Sequence, residues 1–260
     1  MLGRDYDPDR KAVINPEELY GPTPGFPALC IGLFSKAMVD ELAERYAVEV
    51  LCQAEFCTGN VPVYRVRKGD LEAALFLPHV GAPAAVGFLE DLWPRGGKYF
   101  VFAGSAGGLR RELTDGHIVV PTAAVRDEGT SYHYLPPAEE IQLDPACVAA
   151  CTEALEALGL PYVTGKTWTT DGFFRETRGL VEKRKAQGCL TVEMECAALA
   201  AVAQFRGVKF AQFLVTADNL DAPEWDARTL EEGRWAHSLA EKCFAAALET
   251  GLRMKNKGGR

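Results

Sequence analysis

The stretch LTVEMECAALAAVAQFRG (residues 190–207) places two carboxylates inside a segment that otherwise consists mostly of small and apolar residues. Its beginning is typical of a buried strand, residues 196–205 are typical of a buried helix, and Gly207 is a common kind of helix end. An unpaired buried charge costs several kcal/mol. Glu193 and Glu195 must therefore either face water or meet a partner that offsets this cost.

These two glutamates have two interpretations. On a strand they share one face, where a carboxylate can accept two hydrogen bonds from a vicinal diol such as that of ribose. Alternatively, both act at the helix N-terminus, where the helix dipole favours acidic groups. The dipole accounts for one of the two glutamates more readily than for both.

The composition excludes some classes of partner. The protein has 260 residues, of which 48% are hydrophobic, and a formal net charge of -8. This charge argues against nucleic acid as a partner, because nucleic-acid-binding proteins normally carry a basic patch. No apolar run reaches the roughly 18 residues of a membrane-spanning helix, so we expect no membrane partner. Residues 1–26 are polar and contain prolines, which predicts a surface arm rather than a signal peptide.

The spacing and surroundings of the cysteines indicate a reducing compartment. The eight cysteines form no CxxC pair, and none stands beside histidines at the spacing of a zinc site. Most lie in apolar runs, as buried thiols do in a reducing environment. We therefore expect a cytoplasmic protein without disulfides and without a bound metal.

The order of the predicted elements indicates the fold class. Short apolar runs alternate with helical patterns, no linker divides the chain, and several strands lack polar alternation, as strands covered on both faces do. This predicts a single α/β domain over residues 1–260 with a mainly parallel or mixed sheet. The predicted strands are residues 27–34, 61–66, 71–77, 98–104, 116–125, 164–170, 189–194 and 209–217, and the predicted helices are residues 35–46, 84–92, 145–158, 193–205 and 226–254.

Two further segments join chemistry-bearing residues to the end of a strand. In YFVFAGSAGGL (residues 99–109) a strand runs into glycines, which let the backbone approach a ligand, although a tight turn also explains them. In VPTAAVRDEGTSYHYLPP (residues 120–137) the side chains of Tyr132 and His133 suit a sugar or a base edge, whereas a solvated loop explains the charges.

The last segment is FLVTADNLDAPEWD (residues 213–226). Asp218 follows an apolar run directly, so we expect a partly buried carboxyl group with a raised pKa. Such a group can donate a proton to a leaving group near neutral pH. The alternative is an aspartate that caps the loop.

Taken together, VEMECAAL with AGSAGGL upstream and TADN downstream resemble the nucleoside phosphorylase superfamily, which includes uridine phosphorylase, hexameric purine nucleoside phosphorylase and methylthioadenosine nucleosidase. The resemblance implies one α/β domain with a mixed, twisted, partly barrel-like sheet flanked by helices, and a homodimer or hexamer built as a trimer of dimers. The implied reaction is phosphorolysis of a purine or pyrimidine nucleoside to free base and (deoxy)ribose 1-phosphate. Phosphate is then a co-substrate, and no metal or organic cofactor is implied.

The resemblance also implies roles for individual residues. Asp218 matches the acid that protonates the departing base, and Met194 and Glu195 match a ribose-binding pair. The remaining implied contacts are His133 for the sugar, Phe173 and Thr170 for the base, and Gly32, Lys36, Gly104 and Ser105 for phosphate.

Several positions depart from the family pattern. Lys36 and Phe102 stand where arginines bind phosphate, and residues 54–59 contain no arginine. An arginine grips phosphate with two parallel hydrogen bonds that lysine or phenylalanine cannot reproduce. The candidate replacements are Lys36, Arg65, Arg67 and Arg126. The Gln and Arg that read uracil are missing after Phe174, where Thr177 and Gly179 stand, which argues against specificity for uracil. Asp218 favours a purine. A hydrolytic nucleosidase and a nucleoside-binding homologue without turnover are the alternatives.

Overall fold

A computed structural model describes residues 6–113, 116–222, 224–228 and 234–258. Its helices are α1 (Pro16–Leu19), α2 (Lys36–Tyr46), α3 (Ala82–Arg95), α4 (Pro145–Ala157), α5 (Arg178–Ala186), α6 (Cys196–Arg206) and α7 (Arg234–Gly258). Its strands are β1 (Leu29–Leu33), β2 (Ala47–Phe56), β3 (Gly59–Lys68), β4 (Leu71–Phe76), β5 (Tyr99–Gly108), β6 (Ile118–Asp127), β7 (Glu140–Gln142), β8 (Tyr162–Thr170), β9 (Cys189–Glu193) and β10 (Lys209–Asn219). Two short 3-10 helices lie at Thr130–His133 and Phe173–Arg175.

The ten strands form one mixed sheet. Their order is β10-β6-β8-β9-β5-β1-β4-β3-β2, with β7 paired to β6. Strand β10 also pairs with β5 in parallel, so β5, β10, β6, β8 and β9 close into a ring from which the other strands extend. The predicted α/β fold with a mixed, partly barrel-like sheet flanked by helices is confirmed.

Helices cover both faces of the extended part of the sheet. On one face α7 packs with α2 and α4, and on the other face α6 packs with α3. The first eight residues of α6, from Cys196 to Ala203, are all buried. Their small side chains let the helix lie close to the sheet, and this packing fixes the position of the helix N-terminus, where the two glutamates lie.

The predicted helix boundaries have the expected local causes. The hydroxyl of Ser35 accepts a hydrogen bond from the amide of Met38 (3.3 Å), and Asp144 caps α4 through the amide of Ala146 (2.8 Å). Gly207 ends α6 with a φ of 73°, in the left-handed region that favours glycine. These three predictions of helix ends are confirmed.

Some predicted boundaries were wrong, and some elements were not foreseen. All eight predicted strands are present, but β2 and β7 were missed; β2 is an edge strand whose residues are mostly exposed, so it has no apolar run. Helix α5 was missed because only Val181 and Arg184 are buried among its charged residues. The helix predicted to begin at residue 226 does not: Asp226 instead forms an isolated bridge with Asn219, and residues 229–233 lie outside the described residues.

Three further observations concern the cysteines, metal-ligating side chains and membrane-spanning helices. All eight cysteines are free thiols, and six of them are buried. Among the described ranges, no group of three or more metal-ligating side chains has the geometry to hold an ion. In the same part of the chain, no helix combines the length and the apolar composition needed to cross a membrane.

Candidate active site

A cavity of about 700 Å³ opens where β5, β9 and β10 end. This is the edge at which open α/β sheets bind ligands. Three kinds of group line it: glycines and a serine from β5, carboxylates, and apolar or aromatic side chains. The lining residues are Phe34, Val80, Gly104, Ser105, Ala106, Gly107, Phe173, Phe174, Glu176, Arg178, Val181, Val192, Glu193, Met194, Glu195, Gln212, Leu214, Asp218, Leu220 and Trp225.

The glycines of β5 are required by close packing at the cavity wall. A Cβ added at Gly107 would lie 2.6 Å from Cδ1 of Leu220, 3.0 Å from Cγ1 of Val192 and 3.4 Å from Oδ1 of Asp218. A Cβ at Gly104 would lie 3.0 Å from Cβ of Phe34. The strand backbone therefore forms the wall of the cavity directly.

Glu193 holds the start of α6. It is only 6% exposed, and its carboxylate accepts hydrogen bonds from Oγ1 of Thr169 (2.6 Å) and from the amides of Glu195 (2.8 Å) and Cys196 (2.7 Å). The two amides are donors of the kind that a helix N-terminus leaves unsatisfied. For this glutamate, the helix-terminus interpretation is correct.

Glu195 is held differently. It is 6% exposed, and its Oε1 accepts a hydrogen bond from the amide of Gly81 (2.6 Å) in the turn before α3. Burial and the neighbouring charge of Glu193 raise the pKa of Glu195, whereas the amides of Gly81 and Met194 oppose this shift. Because its side chain also lines the cavity, this carboxylate can accept hydrogen bonds from a ligand.

Asp218 also lines the cavity and lies beside Trp225. The indole Nε1 of Trp225 donates a hydrogen bond to Oδ2 of Asp218 (2.8 Å). Burial raises the pKa of Asp218, and the Trp225 hydrogen bond and the charge of Arg228 oppose this shift. The direction matches the sequence-based expectation of a carboxyl group that can retain a proton.

Two charged side chains of the cavity were not foreseen as ligand contacts. Glu176 and Arg178 follow the 3-10 helix Phe173–Arg175 and line the same end of the cavity as Asp218. Burial and the charge of Asp218 raise the pKa of Glu176 to about 7. The sequence signal was the run RETR (residues 175–178), an acid between two arginines directly after the two phenylalanines.

Six of the ten predicted site residues meet in this cavity. Asp218, Met194, Glu195 and Phe173 line it together with Gly104 and Ser105. Phe173 is 51% exposed at the mouth, where the centre of its ring lies 4.0 Å from the ring centre of Phe174. The other four predicted residues, Gly32, Lys36, Thr170 and His133, do not line the cavity.

The two remaining phosphate candidates lie outside the wall for physical reasons. The side chain of Lys36 is 75% exposed at the start of α2 and forms an ion pair with Asp40. Gly32 lies beneath an aromatic ring, because a Cβ there would be 2.6 Å from Cε1 of Phe102. Gly32, Phe102 and Gln212 stand in register on the three parallel strands β1, β5 and β10. Phe102 therefore occupies the layer in which an arginine was expected.

The other cations proposed as replacements have partners elsewhere. Arg65 pairs with Glu49 and Glu72, and Arg67 also pairs with Glu72. Among the lining residues of the described chain, Arg178 is the single Lys or Arg side chain, and it lies at the Asp218 end.

Thr170 has a local structural role. It is 5% exposed, and its Oγ1 accepts a hydrogen bond from the amide of Gly172 (3.2 Å), which shapes the turn before Phe173. His133 is exposed at the end of the 3-10 helix Thr130–His133. Its predicted contact with the sugar, like that of Thr170 with the base, stays a prediction.

The loop that contains His133 is organised by a buried arginine. Arg126 is 5% exposed and donates to Oγ of Ser131 (2.8 Å) and to the carbonyl of Pro136 (2.8 Å), and its guanidinium lies 4.1 Å from the ring centre of Tyr132. Burial lowers the pKa of Arg126. Because its donors are used within the loop, this arginine supports the fold at that position.

Comparisons with known proteins extend this description. The family model described as the phosphorylase superfamily matches residues 28–253. The uridine phosphorylase of Salmonella typhimurium (strain LT2) is 28% identical over 144 residues, which cover 50% of this chain and 57% of that protein. The chain therefore spans little more than half the length of this curated relative.

Two solved structures share the fold. The uridine phosphorylase of Vibrio fischeri ES114 aligns with a TM-score of 0.74 and 22% identity, covering 88% of this chain and 96% of that one. The purine nucleoside phosphorylase of Toxoplasma gondii aligns with a TM-score of 0.72 and 21% identity, covering 98% of this chain and 99% of that one. At this level of identity, the likeness shows the common fold.

Proposed function

Since the chain belongs to the phosphorylase superfamily, we propose that it is a nucleoside phosphorylase, a pentosyltransferase that cleaves the N-glycosidic bond of a nucleoside. The observation that supports this most directly is the meeting of three groups in one cavity of about 700 Å³. These are the buried carboxylate of Glu195, the wall of Gly104 and Ser105, and the carboxyl group of Asp218. The volume lies within the range of about 300–1,000 Å³ that small-molecule sites occupy.

Each group supplies one part of the proposed reaction. Glu195 accepts hydrogen bonds from the ribose hydroxyls, and the backbone and hydroxyl of Ser105 face the attacking phosphate. An oxygen of inorganic phosphate forms a bond to C1′ while the bond between C1′ and the base nitrogen breaks. Asp218 donates a proton to the departing base, so the products are neutral free base and ribose 1-phosphate. A proton donor with a raised pKa suits this role.

A nucleoside panel tests the proposal. Uridine, thymidine, inosine, guanosine and adenosine are incubated with the protein, with and without inorganic phosphate, and free base and sugar 1-phosphate are quantified. The proposal predicts base release from at least one nucleoside that requires phosphate and yields one sugar 1-phosphate per base. Absence of base release from every member of the panel contradicts it.

A second candidate function, hydrolysis of the same bond, is favoured by one observation. The ring of Phe102 covers Gly32, and the side chain of Lys36 points to solvent with Asp40 as its partner. Among the described residues, a phosphate dianion at this end of the cavity then lacks a lysine or arginine side chain that would bind it strongly. Base release at a rate that phosphate does not change would select hydrolysis. Nucleoside binding without any product would select a homologue that has lost turnover.

The remaining properties of the proposed enzyme follow from its family and composition. We propose a homodimer or a hexamer built as a trimer of dimers that acts in nucleoside salvage or catabolism in the cytoplasm. The eight free thiols are compatible with that compartment. The proposed reaction uses phosphate as co-substrate and no metal or organic cofactor.

A further inference from the structure

One carboxylate of the cavity has no role in the proposed reaction. The side chain of Glu176 is partly buried in the wall, and within the described residues it has neither a hydrogen-bond partner nor an ion-pair partner. Every other carboxylate that lines the cavity has one: Glu193 meets Thr169 and two amides, Glu195 meets Gly81, and Asp218 meets Trp225. A carboxylate held without a partner inside a cavity is costly unless a ligand supplies the donors.

The position of Glu176 assigns it to the base rather than to the sugar. Glu176 lies close enough to Asp218 for the charge of Asp218 to act on it, and Asp218 in turn contacts Trp225. The neighbouring Arg178 is directed to the same end, because its Nη1 donates to the carbonyl of Leu220 (2.8 Å). Leu220 closes over Gly107 at the edge of β5. The side chain of Glu195 instead contacts the amide of Gly81.

The surroundings of Glu176 suit a flat, aromatic ligand. The rings of Phe173, Phe174 and Trp225 line this part of the cavity and are exposed at its mouth, at 51%, 87% and 56%. Aromatic rings at a cavity mouth offer faces for stacking on a base. A planar ligand between them would present its polar edge to the side chains in the wall.

The chemistry of a carboxylate then limits which edge fits. An ionised carboxylate only accepts hydrogen bonds, and its two oxygens match two parallel N–H donors on neighbouring atoms. Guanine presents such a pair in its N1–H and its exocyclic N2 amino group. Hypoxanthine presents N1–H alone, adenine presents an acceptor at N1, and uracil flanks its single N3–H with two carbonyl oxygens that a carboxylate repels.

We propose that Glu176 is a specificity-determining residue that accepts hydrogen bonds from adjacent N–H groups of the base, and that the chain therefore selects 2-amino-6-oxopurines such as guanine. This inference rests on the proposed function for the presence of a base in the cavity. The inference concerns recognition of the base, so it holds whether phosphate or water attacks C1′.

Calorimetry with free bases tests this selection apart from turnover. Guanine, hypoxanthine, adenine and uracil are titrated at micromolar concentration against the wild-type protein, Glu176→Gln and Glu182→Gln. Glu182 is a matched control, because its exposed side chain on α5 pairs with Lys185 outside the cavity. We expect wild-type protein and Glu182→Gln to bind guanine about 10- to 100-fold more tightly than adenine, the range of a charge-assisted hydrogen bond. We expect Glu176→Gln to lose most of this preference.

The pH dependence supplies a second readout. Only the ionised form accepts both donors, so guanine binding by the wild type strengthens as the pH rises through about 7, the pKa of Glu176. The charge of Asp218 acts on Glu176, and the other charged side chains that line the cavity are Arg178, Glu193 and Glu195; all four remain in Glu176→Gln. We expect that variant to lose this rise in affinity.

The possible results separate this inference from the proposed function. Equal affinity of the wild type for all four bases, no binding of guanine, or an unchanged preference in Glu176→Gln overturns the inference. If nucleosides are cleaved without a preference for guanosine, only the inference fails. If guanine binds with the predicted preference and no nucleoside is cleaved, the proposed function fails while base recognition by Glu176 stands.

Discussion

The indole Nε1 of Trp225 donates a hydrogen bond to Oδ2 of Asp218 at 2.8 Å, and both side chains line the cavity. The hydrogen bond fixes one carboxyl oxygen, so Oδ1 is the atom that lies towards Gly107 and the interior. Trp225 is 56% exposed, and a base that stacks at the mouth would cover its ring. Binding of the base would thereby further remove Asp218 from water, which favours its protonated form.

The first prediction concerns Asp218→Asn. A proton donor acts mainly in the transition state, so we expect kcat for purine nucleosides to fall by about 10²–10⁴-fold with little change in the affinity for the free base. Steady-state kinetics together with calorimetry measure the two effects. Asp40→Asn, on the surface of α2, serves as the control. An unchanged kcat would show that Asp218 only caps its loop.

The second prediction concerns Glu195→Gln. The amide oxygen of glutamine can still accept the hydrogen bond of the Gly81 amide, but the neutral side chain binds a sugar diol less strongly. We expect KM for the nucleoside to rise and kcat to fall together, each by about tenfold or more, the value of a hydrogen bond to a charged group. If 2′,3′-dideoxynucleosides are affected as strongly as ribonucleosides, Glu195 does not contact the hydroxyls.

The third prediction separates Glu193 from Glu195 by stability. Glu193→Gln keeps one acceptor oxygen for the amides of Glu195 and Cys196, but it removes the negative charge at the start of α6 and turns an NH₂ group towards Oγ1 of Thr169, whose hydroxyl loses its acceptor. We expect a loss of about 1–3 kcal/mol in the free energy of unfolding. Urea denaturation measures it. A loss confined to activity, at full stability, would contradict the structural role of Glu193.

The fourth prediction compares two glycines. In Gly107→Ala the new methyl group would lie 2.6 Å from Leu220 and 3.0 Å from Val192, so we expect it to displace the wall beside Asp218 and reduce activity. In Gly179→Ala nothing lies within 4 Å of the new Cβ, and the site is helical, so stability should rise by about 0.5–1 kcal/mol with activity unchanged. Equal activity of the two variants would refute the close packing at Gly107.

The fifth prediction is a pH dependence of stability. The pKa of Glu176 in the folded protein, about 7, exceeds its ordinary value of 4.5. The folded state therefore holds this proton more tightly than the unfolded state, and the resulting stabilisation is present below pH 4.5 and is lost as the pH rises through about 7. Glu176→Gln, which resembles the protonated form, should gain stability relative to wild type between pH 5 and pH 8. A constant difference across this range would contradict the assignment.

The sequence was most informative where one physical signal dominates. The eight foreseen strands are apolar runs, and Ser35, Asp144 and Gly207 have standard cap chemistry, so their roles could be predicted from single positions. Strand β2 could not, because its mostly exposed residues lie at the edge of the sheet and give no apolar run.

The residues that line the cavity were foreseen in part for similar reasons. Glu195 and Asp218 stand next to apolar runs, which makes a carboxylate conspicuous. Glu176 stands in a charged segment, where only the folded chain shows that this acid, and not its neighbours, points into the cavity. That Lys36 and Gly32 do not line the cavity also needed the structure, because it depends on the ion pair of Lys36 with Asp40 and on the ring of Phe102 over Gly32.

A crystal structure of Asp218→Asn, in which turnover is slowed, soaked with guanosine and inorganic phosphate would show where the sugar and the base lie in the cavity. We expect the ribose hydroxyls within hydrogen-bond distance of the carboxylate at position 195, and the base between the aromatic rings at the mouth with one edge at position 176 and its imidazole side at position 218. A nucleoside bound elsewhere, or one whose sugar and base contact neither of these two ends, would contradict this expectation.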